Sequence, residues 1–127
     1  MELVSPFDEY HVTIPRELEA DWETREALLL SDHDDRDYRP QACQLLESML
    51  AKLDRDTNAE IWAELAHDLA MSLAKRDDGN PVENLHRAIL LYRDALDLLD
   101  PEHYPCTCAL FATSLGSAFG ALAEFRG

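Results

Sequence analysis

Four groups of residues in this chain have the types that chemistry uses, and their spacing decides what each could do. His67 stands beside Asp68, the types of a general base and its orienting acid. Neighbours one apart on a helix project in different directions, so the pair predicts no proton relay. Cys106-x-Cys108 follows His103. A structural zinc site takes four ligands, usually in spaced pairs, and one short cluster at a predicted helix start reads as core or capping cysteines. Asp32-His33-Asp34-Asp35-Arg36-Asp37 is rich in oxygen ligands, yet it lacks the central glycine and distal glutamate of a calcium-binding EF-hand loop. It reads as a solvated acidic linker. Ser72, Ser114 and Ser117 fall within predicted helices rather than on a strained elbow. There is no glycine-rich phosphate loop and no H-E-x-x-H. The expectation is a protein that is not an enzyme, with no metal and no cofactor.

Charge and composition narrow the partners. The 127 residues hold 11 Lys or Arg against 26 Asp or Glu, a net charge of 11 − 26 = −15. Nucleic acid and anionic membranes attract cationic surfaces and repel this one, so neither is an expected partner. Another protein or peptide is, and a basic one fits best, although the charge also serves solubility alone. Residues 1–40 carry 12 acids and 4 bases, net −8, so the acidity is densest in the N-terminal third. Three cysteines, an odd count, and an N-terminus without a signal-peptide pattern predict a reducing, cytoplasmic setting. The apolar share of 46% supports a core within a single domain over 1–127, and 4 Gly with 6 Pro argue against an all-β fold.

The elements that must position these residues read as helices. Residues 1–38 form an acidic N-terminal segment: an irregular or briefly extended lead-in to Ile14, then one helix over 15–30 with Thr13 as its cap. Leu18, Trp22, Arg25, Leu28 and Leu29 recur in it at spacings of three and four. Residues 39–126 hold the rest. Predicted helices span Pro40 to Leu53, Ala59 to Lys75, Val82 to Leu99 and Tyr104 to Phe125, with a turn at Asp77 to Pro81. The fold class is all-α, a short array of about five helices.

A shift of 46 residues superposes two helix pairs without a gap. Ala63, Ala66, Leu69, Ala70 and Leu73 fall on Ala109, Ala112, Leu115, Gly116 and Phe119, while Ala42, Leu46, Met49 and Leu50 fall on Ala88, Tyr92, Ala95 and Leu96. Trp62 to Leu73 followed by Glu83 to Leu96 resembles a tetratricopeptide repeat. Leu69-Ala70 and Leu115-Gly116 sit at that family's Leu-Gly pair, and Ala88, Ile89, Tyr92, Ala95 and Leu96 match its second helix. Glu83-Asn84-Leu85 and the linker Asp100 to Pro105 are similar to the long-turn variety that accompanies CHAT domains. The usual repeat is about 34 residues, and the longer step here puts the excess in the turns.

The resemblance implies a helical-hairpin array whose first, third and fifth helices line a concave groove. Groove positions would be Glu64, His67, Met71 and Lys75, pointing outward from the third helix, and Thr113 and Ser117 from the fifth. His67-Asp68 stand where a carboxylate clamp of the family has Lys and Asn, so capture of a peptide C-terminus is not expected. The fifth helix is apolar around most of its circumference and must be covered on several sides. Leu110, Phe111, Gly116, Phe119, Gly120, Leu122 and Phe125 are its expected contacts to a partner, most simply a second copy in a homo-oligomer. The N-terminal Phe7, Tyr10 and Trp22 folding back over it, or a longer array, are the other ways to cover it. The function expected is a non-catalytic protein–protein interaction module, an adaptor or assembly subunit. The alternative is an acidic inhibitor that mimics nucleic acid and blocks a basic surface.

Overall fold

A computed structural model describes residues 2–4, 11–30, 39–76 and 78–125, with side chains from Ile14 onward and Leu30 excepted. A short antiparallel hairpin opens the chain: β1 (Glu2–Val4) pairs with β2 (His11–Thr13), Leu3 opposite Val12. Five helices follow: α1 (Glu19–Leu30), α2 (Arg39–Ala51), α3 (Ala59–Lys75), α4 (Pro81–Leu98) and α5 (Pro105–Phe125). The fold is an all-α array behind that hairpin.

The first helix starts later than its periodicity predicts. Thr13 belongs to β2, so Pro15 takes the capping position, with extended ψ of 141°, and a 3-10 turn at Arg16–Leu18 leads into α1. The turn before α4 follows local chemistry closely. Gly79 supplies a φ of +79°, the left-handed conformation that favours glycine. Asn80 Oδ1 then accepts from the backbone N–H of Val82 at 3.0 Å and of Glu83 at 3.1 Å, and Pro81 begins the helix.

Each helix packs on its neighbour in sequence, most extensively α3 on α4. Side-chain contacts also join alternate helices. Arg25 of α1 bonds Asp68 of α3, His67 of α3 bonds Ser114 of α5, and Arg87 of α4 bonds Glu47 of α2. Odd-numbered helices therefore lie along one side and even-numbered helices along the other. Small residues make this possible: Ala63, Ala66, Ala70, Ala88 and Ala95 are fully buried, so backbones approach closely, while Leu46, Leu65, Leu73 and Tyr92 fill the volume between them.

The 46-residue relation holds through the second and fourth helices. Ala42 and Ala88, Leu46 and Tyr92, and Met49 and Ala95 are buried in both copies. It splits in the third and fifth. Ile61, Leu65 and Ser72 and their counterparts Thr107, Phe111 and Ala118 are buried alike, and Leu69 is buried where Leu115 is half-buried. Ala63, Ala66, Ala70 and Leu73 are buried in clusters shared with Ala88, Ile89 and Ala95 of α4 and with Leu99 just beyond it, whereas Ala109, Ala112, Gly116 and Phe119 are exposed. The face that α4 helps bury on α3 has no helix over it on α5 among the described residues.

Candidate functional site

Two features distinguish the array: a polar seam through its interior and a bare face at its end. Arg25 enters the seam from α1, its guanidinium over the Trp22 ring at 4.2 Å from the centroid. Its Nε donates to Asp68 Oδ2 at 2.7 Å and Nη2 donates to the same oxygen, with Glu64 3.7 Å away. Burial pushes the Asp68 carboxyl up to about 6, against the opposing pull of Arg25, and Glu64 adds to the rise. His67, one residue earlier, turns toward α5. Its ring stacks on Phe111 at 4.5 Å between centroids, and Nε2 lies 3.0 Å from Ser114 Oγ. Burial lowers its pKa to about 4, with Lys75 contributing, so the ring is neutral near pH 7. Ser114 also bonds the Tyr92 hydroxyl, whose pKa burial raises to about 12. The adjacent His67 and Asp68 thus face different helices and different partners.

The seam has a pH signature. Below 6.5 the unfolded chain takes up a proton at His67 that the folded chain refuses until about pH 4. Stability from this group is present above pH 6.5 and falls as pH drops toward 4. Asp68 acts oppositely: its raised folded pKa favours the folded state below pH 3.8, and that contribution is lost as pH rises through about 6. The two slopes oppose each other over nearly the same window. His67→Phe removes one of them. Urea unfolding from pH 6.5 down to 4 should show the variant gaining on the wild type by up to about 3 kcal/mol; a constant difference would contradict the neutral, buried imidazole.

The groove positions scatter. Glu64 is half-buried near Arg25, Met71 is half-buried against the core, and Lys75, Thr113 and Ser117 are exposed. His67 is corrected from outward to buried, because α5 closes over it with Phe111 and Ser114. The Thr113 hydroxyl donates to the Ala109 carbonyl at 2.8 Å within its own helix. Arg25 escaped the groove reading, although its place among the apolar positions of the first helix was a signal of burial and hence of a buried acid.

The cysteine and histidine cluster opens out. Cys106 is exposed, Cys108 is buried with Sγ 3.8 Å from the Leu99 carbonyl, and His103 Nδ1 pairs with Asp100 at 2.6 Å. Among the described residues no group of three or more His, Cys, Asp or Glu is placed to hold a metal. The acidic run 32–37 lies outside the described residues, as do Phe7 and Tyr10. Trp22 is buried in the main core with α1.

The expected contacts of α5 divide by face. Phe111 and Leu122 are buried within the chain and so are corrected from partner contacts to core, because α3 and α4 pack on that side. Leu110 is half-buried; Gly116, Phe119, Gly120 and Phe125 are exposed. Nothing lies within 4 Å of a Cβ built at Gly116 or Gly120. Each glycine costs a helix interior about 0.8–1 kcal/mol against alanine, and no close approach within the described chain requires either. Next to them a groove of about 310 Å³ runs between α4 and α5, lined by His86, Ile89, Leu90, Arg93, Phe119, Leu122 and Ala123. Phe119 is 41% exposed, Phe125 56% and Leu90 59%. The Arg93 guanidinium lies 5.4 Å from the centre of the Phe119 ring. With 21 residues and a mean hydropathy of 1.5 over its most apolar window, α5 is also long and apolar enough to cross a membrane, as core helices can be.

No protein-family model, curated protein or solved structure matches this chain.

Proposed function

We propose that this protein is a non-catalytic protein–protein interaction module, an adaptor or assembly subunit built on tetratricopeptide-like helical hairpins. One observation carries the proposal. The bare face of α5 repeats, at a 46-residue offset, a face that is buried on α3, and it holds two helix glycines with open space around them. Close helix packing uses small residues, and exposed large apolar side chains beside them mark contact surfaces. The polar seam supports the same assignment, since its carboxylate and imidazole are engaged in joining helices.

Gly116→Arg tests this. The position is exposed and helical with free space for a side chain, so circular dichroism should be unchanged and thermal stability equal or higher. Affinity capture from the native host with the wild-type chain should yield a partner that the variant loses. Capture of the same proteins by both would remove α5 as the contact.

A further inference from the structure

We propose that the groove between α4 and α5 is a socket for a helix supplied by another protein, and that this helix brings a carboxylate to Arg93. The inference rests on the reading of the chain as a protein-binding array and names the chemistry of its partner.

The earlier half of the molecule shows how such a socket is filled. Moving back 46 residues carries Ile89 onto Cys43, Phe119 onto Leu73 and Arg93 onto Glu47. Cys43 of α2 and Leu73 of α3 are buried in one cluster with Leu85, Ala88 and Ile89 of α4. There Leu73 is 1% exposed, and Glu47 of α2 pairs with Arg87 of α4. One step on, Phe119 is 41% exposed, and Arg93 stands at the position of Glu47 with the charge reversed. Among the described residues Arg93 makes no ion pair; its recorded contact is the Phe119 ring. A helix placed against α4 and α5 as α4 is placed against α2 and α3 would set its counterpart of Arg87 opposite Arg93. An acidic residue there restores the pair, and an apolar face covers Phe119 and the glycines.

The same charge argues against α5 of a second copy as the occupant. From Pro105 to Ala123 that helix contains no Asp or Glu, so α5 laid on α5 leaves Arg93 without a carboxylate along that stretch.

The test uses a defined probe. Two labelled peptides carry the α4 sequence, residues 81–98, one unaltered and one with Arg87→Glu, and fluorescence anisotropy measures binding to the full chain. The Glu peptide should bind roughly fivefold tighter than the Arg peptide. This runs against the net charge of −15, which by itself favours the more basic peptide. Arg93→Glu is an exposed change that leaves the fold intact, and it should reverse the order of the two peptides. Absence of binding, or a preference for the Arg peptide by both proteins, overturns the socket. So does a dimer, seen by sedimentation, that excludes the peptides and is unaffected by Arg93→Glu, because a second copy then owns the face. Uptake onto phosphatidylcholine vesicles that ignores Arg93→Glu likewise overturns it in favour of a membrane. Failure here, with Gly116→Arg still losing its captured partner, removes the acidic helix and leaves the interaction module standing.

Discussion

Arg25→Met should lower the unfolding free energy by about 3–5 kcal/mol at pH 7, the range for removing one partner of a buried ion pair. The variant keeps most of the side-chain volume and the contact with Trp22, so the loss reports charge rather than a cavity. Asp68 is left buried beside Glu64 with its principal cation gone. The pH dependence identifies the cause. The Asp68 carboxyl already sits at about 6 with Arg25 present, and without the guanidinium it moves higher. Protonation removes the buried charge, so the deficit should shrink as pH falls from the variant's higher value toward 6 and stay level below it. Urea midpoints at pH 5 and pH 7.5 measure this, and an equal deficit at both would mean that Arg25 stabilises by packing alone. The double variant Arg25→Met/Asp68→Leu should recover much of the loss, since an apolar pair needs no compensation.

Phe111→Ala and Phe119→Ala should differ by several kcal/mol although both remove the same side chain from the same helix. Phe111 is buried between α3 and α4, stacked on His67 and clustered with Ala63, Ala66, Ala95 and Leu99. Its truncation leaves a cavity lined by small side chains that have little to fill it with, and about 3–5 kcal/mol should be lost. Phe119 is 41% exposed over the α4–α5 groove, and its truncation should stay within about 1 kcal/mol in the isolated chain. Thermal melts of both variants settle the contrast. Equal losses would mean that α5 is covered on both sides in solution.

The five helices were legible because their apolar residues recur at helical spacing and their ends carry strong punctuation. Asn80-Pro81 opened α4 where the periodicity put it, and Asp100-Pro101 closed it. The first helix was less so. Pro15 fits the first turn of a helix as well as a cap, and pairing of Thr13 in the opening hairpin decided between them. The α5 positions were harder still. A helix apolar around its circumference has no moment to say which side faces its own core, so Phe111 and Phe119 looked alike. His67 looked like an outward polar residue, and only the arrival of α5 buried it.

Composition and periodicity alone determined that this chain makes helices, that two hairpins repeat at a 46-residue step, and that the whole is strongly acidic. Those properties are local or additive, so order along the chain contains them. Tertiary structure decided which polar side chains meet and which face of α5 is left bare. Arg25 and Asp68 are 43 positions apart, and His67 and Ser114 are 47 apart. Contacts of that range depend on how helix axes cross and rotate, which no single helix's spacing records.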